Sequence, residues 1–475
     1  METPVTTNPA VQEFCRKALE WLPRERLYSV PYSPLMGSVG YDAVTPPPEA
    51  ARDAPVTVVR VRTTEDVARL ARLAYELEVP LCVRQATGYL TPDTSRPEQP
   101  GAVALDLRDL SSIALDEAAG TVEIGPFVTL DKLNQLLAPR GYAFPISVGA
   151  VTWGSLVGMN TSGQLVDAAY GKPGDYVLGL EVVLPDGTLI ETGTRTLRKP
   201  CGPDLTRLFA GGQALFGVIT RLRLRLVHAP REKAWGTATF DSLRSLGEAV
   251  VASYHQGAPL PRVYDFMDGR YMEFSRAFGS GPLPAGMLLL EMDGDAPGSA
   301  EWKLEHLFGI LRAHGAVRTE RIDREQWDHL AEVRYRMWPD FKQRGILLLV
   351  GEVIDSPLAE LPAVLEEARA LQQSFVERYA GIQCFFWGHI GSQSFHPAFA
   401  APVAWPYEQL VAVATEIRAE LLDLKLRRQA SVGEQGIFPE HVEWFRRRYG
   451  EPSYALLQRI KAAFDPKGLF NPGRP

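Results

Sequence analysis

Two histidines, His389 and His396, stand seven positions apart in the stretch HIGSQSFH, joined by a short polar link that contains one glycine. If the link turns a hairpin, both imidazoles reach its facing ends on one side of a sheet. An imidazole can bind a divalent ion or take up a proton near neutral pH, so such a pair suits either chemistry. The spacing equally suits two hydrogen-bonded polar residues at a strand edge, and residue type alone leaves these readings side by side. A second stretch, VTWGSLVGMNTSGQ over 151–164, gathers small residues at Gly154, Ser155, Gly158, Ser162 and Gly163. Small residues let backbone amides approach the phosphates of a ligand, and Thr152 and Asn160 add side-chain hydrogen bonds. A tightly packed glycine-rich turn has the same composition. Arg334 and Arg336, in WDHLAEVRYRMW beside His329, could hold a carboxylate in a guanidinium fork, while their helical setting also suits surface ion pairs. Phe385, Phe386, Trp387 and Trp338 could wall an aromatic pocket, although such residues most often build core.

The elements that must position these residues follow from periodicity. VTVVRV over 56–61 reads as a buried strand, and Thr63 with Asp66 makes a capping-box start to a helix that aligns Val67, Leu70, Ala71, Ala74 and Leu77 on one face. PLCVR returns as a strand, so this is a strand, helix, strand unit. The helix LDKLNQLLAPRG stops at Gly141, and YVLGLEVVLPDGTLIETG is a hairpin about Pro185, Asp186 and Gly187. RLRLRL alternates as a strand with one wet face. From about residue 235 to 420 long helices alternate with strands, a change of rhythm that predicts a second domain.

The length of 475 residues predicts two or three domains. With 45% hydrophobic and 23% charged residues the chain is an ordinary folded protein. A formal charge of -7 offers no broad cationic surface for nucleic acid. The four cysteines, Cys15, Cys82, Cys201 and Cys384, form no CxxC, which argues against a zinc knuckle and fits a reducing compartment. No window approaches the ~18 apolar residues of a membrane span, and no secretory signal opens the chain, so a cytoplasmic protein is expected. There is neither a GxGxxG after a strand nor a GxxxxGK[ST] loop.

Taken in order, VPLCVRQATGYL, VTWGSLVGMNTSG, YGKPGDYVLGLEVVLPDG, GPDLTRLFAGGQALFGVIT, GHIGSQSFH, GEQGI and FDPKGLFNPG resemble FAD-dependent oxidoreductases of the vanillyl-alcohol oxidase superfamily, with its PCMH-type FAD-binding fold. The nearest subgroup is the D-2-hydroxyacid dehydrogenases, of the D-lactate dehydrogenase and glycolate oxidase type. The resemblance covers most of residues 55–475. It implies an α+β architecture: a two-part PCMH-type FAD-binding domain, an α/β cap (substrate) domain, and a C-terminal segment returning to the FAD domain. The expected boundaries are an N-terminal arm over 1–50, the FAD-binding domain over 51–230, the cap over 231–420 and the C-terminal segment over 421–475.

The same resemblance implies roles for individual residues. Its pyrophosphate loop falls on Arg84, Gln85, Ala86, Thr87, Gly88 and Tyr89, and its second FAD segment on Pro145 and on Thr152 to Gly163. Ile219 would approach the adenine side and Asn471 the flavin ring. No histidine lies in the first loop, so FAD should be noncovalent. His389, His396 and Glu434 match three ligands of a divalent metal, zinc, manganese or iron, all of which suit two imidazoles and a carboxylate. Departures accompany these matches. The first loop has lost two glycines, Gln213 stands where an acid is usual, and Ser392 and Ser394 replace Asp and Asn. Gln435 replaces the histidine that serves as base, and an amide can orient a substrate but cannot accept its proton. The expected activity is oxidation of a small D-2-hydroxyacid-like substrate by hydride transfer to flavin N5. The departures keep open an oxidase of an alcohol, phenol or natural-product intermediate, and a catalytically silent flavin-fold protein that serves for binding or as a scaffold. Expected partners are a small-molecule substrate and an electron acceptor that the sequence does not name, with a homo-oligomer compatible.

Overall fold

The computed structural model describes residues 8–30, 56–84, 101–146, 151–161, 166–196, 202–275, 283–335, 343–432 and 439–472. Three sheets organise them. The first contains β1 (Leu27–Val30), β2 (Val56–Arg60), β3 (Leu81–Arg84) and β4 (Val103–Asp106) in the order β1-β2-β4-β3. β2, β4 and β3 are parallel, as the strand, helix, strand pattern requires. The connecting helix Thr64–Leu77 starts at a capping box between Thr63 and Asp66 and buries Val67, Leu70, Ala71 and Ala74 against the sheet. The helix Pro9–Ala18 contributes Val11, Phe14, Cys15 and Ala18 to the same core, and β1 pairs antiparallel with β2. Residues 9–30, within the expected N-terminal arm over 1–50, are thus built into the first sheet, because their apolar face needs that core for burial.

The second sheet holds β5 (Ile113–Asp116), β6 (Thr121–Ile124), β7 (Val177–Val183), β8 (Leu189–Gly193) and β9 (Val218–Arg225) in the order β5-β6-β9-β7-β8, antiparallel throughout. β7 and β8 form the expected hairpin, with Gly187 at φ 82° where a side chain would be strained. In β9 the leucines 222 and 224 are buried and Arg221 is exposed, as alternation predicts.

The third sheet comprises β10 (Glu232–Phe240), β11 (Val263–Asp268), β12 (Gly286–Gly294), β13 (Arg318–Ile322), β14 (Ile346–Gly351), β15 (Ile354–Asp355), β16 (Gln383–Gly388) and β17 (Ser394–Pro402). Its order is β13-β10-β12-β11-β16-β17-β14, with β15 pairing beside β17. One face packs the helices Leu243–His255, Ser299–Ala313, Leu361–Arg378 and Tyr407–Arg427. The other carries the helix Arg324–Tyr335 through Trp327, Leu330 and Val333. The helix Tyr407–Arg427 runs through the expected boundary at 420, and Leu421 and Leu424 stay in this core.

The last helix, Glu451–Phe464, returns to the second sheet, where Phe464 meets Phe209 and Phe216 at ring-centroid distances of 5.9 and 5.4 Å. Beyond it the chain joins the first sheet: Leu81 donates its amide to Leu469 at 2.8 Å and its carbonyl accepts from Asn471 at 2.8 Å. A buried amine secures this return. Lys461 donates to the carbonyls of Leu215 at 2.7 Å and Phe470 at 2.8 Å and to Asp465 at 2.6 Å. Burial draws its pKa below the usual lysine range, against the opposing pull of Asp465. Asp465 in turn accepts from the amides of Leu469 and Phe470. Removing one partner of a buried ion pair strands the other, at about 3–5 kcal/mol. Lys461→Met should therefore lower the unfolding free energy by about that amount in urea titrations, and adding Asp465→Asn should cost much less than it does alone.

Candidate functional site

β11, β16 and β17 lie side by side in the centre of the third sheet, with Met267 opposite Trp387 and Trp387 opposite His396. Because strand side chains alternate, Asp265, Trp387 and His396 share one face with Val263, Met267, Phe385 and Ala398. The helix Arg324–Tyr335 crosses that face and brings Arg334 to it. Phe386 points the opposite way, into the helical core under the Arg369 guanidinium, so the expected aromatic wall is split by alternation. Trp338 lies outside the described residues.

His389 follows β16 directly. A 3-10 turn, Ile390–Ser392, and Gln393 at φ 56° carry the chain into β17. Two glycines make this corner feasible: a Cβ on Gly388 would come 2.4 Å from the Phe395 Cα, and one on Gly391 would come 2.4 Å from the Tyr264 Cβ and 2.9 Å from Val166. The turn is pinned from outside as well. Tyr254 donates its hydroxyl to the Gly391 carbonyl at 2.5 Å, and Ser392 accepts the amide of Asp167 at 3.1 Å. The histidine corner therefore seats on residues 166–167, beyond the glycine-rich stretch of the second lobe.

The two imidazoles do meet, with centroids 5.6 Å apart and planes at 88°. His389 Nδ1 lies 2.8 Å from Asp265 Oδ1, and Arg334 Nε lies 3.4 Å from the other oxygen of that carboxylate. Asp265 is fully buried, His389, His396 and Arg334 nearly so. His396 stacks on Trp387 at 5.5 Å and 21°. Burial, then the neighbouring His389 and Arg334, hold its pKa well below the usual imidazole value, so it is neutral at pH 7. Arg334 stands 6.0 Å from the centre of the Trp387 ring, and its carbonyl accepts from Tyr271 Oη at 3.1 Å. Asp265 is the functional side chain that the sequence reading missed. Its signal was a carboxylate in the middle of the apolar run VYDFM, where a charge survives only with partners.

The two imidazoles are donors that a divalent ion could use. Two imidazoles on one zinc, each at ~2.1 Å, put their ring centroids roughly 5 Å apart. A histidine held through Nδ1 by a carboxylate presents Nε2 as the ligand nitrogen. Among the described residues no group of three His, Cys, Asp or Glu side chains converges on a metal position. Glu434, Gln435 and Arg336 lie outside the described residues.

The expected FAD residues fall around the ends of the first two sheets. Thr152 caps the helix Trp153–Met159, accepting from the Ser155 amide at 3.3 Å. The Gly154 amide donates to the Pro126 carbonyl at 2.7 Å, and a Cβ there would lie 2.8 Å from the Pro126 side chain. This glycine serves close packing, and its amide is already used. The Asn160 side chain likewise accepts from the Gly174 amide at 3.0 Å, and the Gly158 carbonyl accepts from Gln213. Pro145 offers its carbonyl to Arg262 at 2.5 Å, tying the third sheet to the second lobe. Ile219 is buried in β9. Arg84 ends β3, and Asn471 lies beside that strand, donating to the Gln213 carbonyl at 2.9 Å. Gln213 and Ala214 both take positive φ, at 50° and 56°, and the Gln213 Oε1 is a buried acceptor without a partner among the described residues. Strain and an unsatisfied acceptor at one turn are what a bound group with a hydrogen to donate would repair. Gln85, Ala86, Thr87, Gly88, Tyr89, Ser162 and Gly163 lie outside the described residues.

A family model for an FAD binding domain matches residues 55–193, and one for the C-terminal domain of FAD linked oxidases matches residues 229–474. The chain is 26% identical to glycolate oxidase subunit GlcD of Bacillus subtilis over 442 residues, 91% of each chain. It is 28% identical to the probable mitochondrial D-lactate dehydrogenase of Danio rerio, covering 88% of this chain and 84% of that one. It is 26% identical to D-lactate dehydrogenase of Archaeoglobus fulgidus, covering 90% and 94%. Among solved structures, p-cresol methylhydroxylase superposes with a TM-score of 0.75 at 16% identity over 99% of this chain and 98% of that one. Alkyldihydroxyacetonephosphate synthase gives 0.74 at 15% over 99% and 87%. At these identities the two structures speak for the fold alone.

The close approach at Gly391 is directly testable. Gly391→Ala should lower stability by about 1–3 kcal/mol through overpacking against Tyr264 and Val166. Gly309→Ala, in open space on a helix, should be neutral or stabilising by about 0.5–1 kcal/mol. Thermal unfolding of the two variants beside the parent checks both.

Proposed function

The chain belongs to the FAD linked oxidases, and from that premise we propose that it oxidises a small D-2-hydroxyacid at the buried face of the third sheet. FAD, held noncovalently, supplies the acceptor for the hydride from the substrate C2. The protein's own groups would supply recognition and make the substrate hydroxyl more acidic, its proton leaving to solvent as the hydride leaves C2. The observation that carries this reading is the convergence of Arg334, His389 and His396 on one buried face around Asp265. A guanidinium excluded from water is a strong partner for a carboxylate; Asp265 pairs with that of Arg334, and the Tyr271 hydroxyl holds the backbone carbonyl of the same residue. The two imidazoles, with Glu434, would hold a divalent zinc, manganese or iron ion against the substrate hydroxyl and lower its pKa. Gln435 would orient the substrate by hydrogen bonds. The cytoplasm suits the buried thiols of Cys15 and Cys384, pushed up by burial to about 11 and about 12. Among the described residues no helix is long and apolar enough to cross a membrane.

A second reading, oxidation of an alcohol or phenol, is favoured by Gln435 in place of a base and by Ser392 and Ser394 in the histidine link. The two readings separate on one anaerobic experiment, in which candidate substrates are added to the yellow holoenzyme and bleaching of the flavin band is followed. D-lactate, glycolate or D-2-hydroxyglutarate should bleach it, and L-lactate should not. Arg334→Met should then reduce kcat/KM by roughly 30-fold or more, about 2 kcal/mol or above for a lost charge-assisted pair. Bleaching by a phenol or alcohol lacking a carboxylate, with none by the hydroxyacids, would replace the first reading with the second.

A further inference from the structure

Asp265 sits in an apolar strand, between Tyr264 and Phe266 and with Val263 and Met267 on its own face. A buried carboxylate loses several kcal/mol of hydration. Two of its contacts reach the two functional arms: Oδ1 is hydrogen-bonded to His389 Nδ1 at 2.8 Å, and Oδ2 forms an ion pair with Arg334 Nε at 3.4 Å. We propose that Asp265 is the positioning residue of the site, fixing His389 as its Nδ1–H tautomer and anchoring Arg334, so that both arms are held at a set spacing through one side chain. This rests on the roles given above to His389 and Arg334.

The chemistry of the contact leaves one arrangement. A carboxylate paired with a guanidinium only accepts hydrogen bonds, so the hydrogen between Asp265 and His389 belongs to Nδ1. A neutral imidazole then carries its lone pair on Nε2, the nitrogen that can bind a divalent ion or receive a proton. The same strand braces the arginine arm a second time. Asp268 accepts the amide of Tyr271 at 2.8 Å, and the Tyr271 hydroxyl donates to the carbonyls of Val333 and Arg334 at 3.2 and 3.1 Å. Asp265 thus meets the arginine arm directly, and Tyr271, just after the same strand, holds the end of the covering helix.

An amide at 265 would keep the shape and reverse the tautomer. To satisfy both neighbours, the asparagine must turn its oxygen to Arg334 and its NH2 to His389 Nδ1, which moves the ring hydrogen to Nε2. The test uses FAD-bound protein selectively labelled with 15N-histidine, with His389 assigned by the signals lost in His389→Gln. Nitrogen NMR of the parent should show His389 bearing hydrogen on Nδ1 and none on Nε2, and Asp265→Asn should reverse this. Titration of metal-free holoenzyme with Zn2+ or Mn2+ should show affinity reduced about 10–100-fold in Asp265→Asn. A parent His389 with its hydrogen on Nε2 overturns the proposal, and this measurement stands even if the variant does not fold. An unchanged tautomer in a folded Asp265→Asn overturns it too. The expected tautomer and its reversal, in protein that binds neither ion, support the role of Asp265 and remove only the metal from the functional reading.

Discussion

A carboxylate can persist inside an apolar sheet only if both of its oxygens meet donors, because the hydration it gives up is worth several kcal/mol. Asp265 is held by a hydrogen bond to His389, from the corner after β16, and by an ion pair to Arg334, from the helix Arg324–Tyr335. The rest of the site follows from this demand. The helix that carries Arg334 must cross the sheet face above β11, which it does by burying Trp327, Leu330 and Val333 against Met267, Phe385 and Trp387. The chain must turn sharply after Gly388, so that His389 reaches Asp265 while His396 returns one strand away in register with Trp387.

The same corner joins two otherwise separate cores. Val166 packs into the third sheet's helical core, Asp167 donates to Ser392, and Tyr170 reaches Asp293 at 3.1 Å. Arg262, one residue before β11, completes the joint. It is buried, forms an ion pair with Glu291, and reaches across to the Pro145 carbonyl. Strand β11 is therefore held at its start by Arg262, through an ion pair to Glu291 on β12 and a hydrogen bond to the Pro145 carbonyl, and in its middle by the histidine and arginine of the site. A ligand lying between lobe and sheet would meet groups positioned from both sides by hydrogen bonds rather than by loops alone. Asn471 plays a comparable part at the first sheet, where one side chain links β3 to the strained Gln213 turn.

Much of this was legible in local pattern. The capping box at Thr63, the hairpin about Gly187 and the Arg and Leu alternation of β9 are short-range effects in which neighbouring residues decide the outcome. The pairing of His389 with His396 was legible for the same reason, since seven residues suffice to close a corner. The close approach of Gly154 to Pro126 was not, because a glycine needed for a ligand and a glycine needed against a neighbouring chain look alike in sequence. Nor was the place of residues 9–30, whose apolar face has no partner until the sheet behind it exists.

By itself the sequence determined the kind of protein: its strands and helices, the flavin-binding family and the histidine pair. These depend on periodicity, turn chemistry and ordered motifs, all of which are written along the chain. Only the tertiary structure decided which groups act together. Asp265 is 124 positions from His389, and Arg334 lies on a third element, so no spacing rule relates them. They are joined by the burial of a charge, and a charge selects its partners only after the apolar surfaces around it have closed.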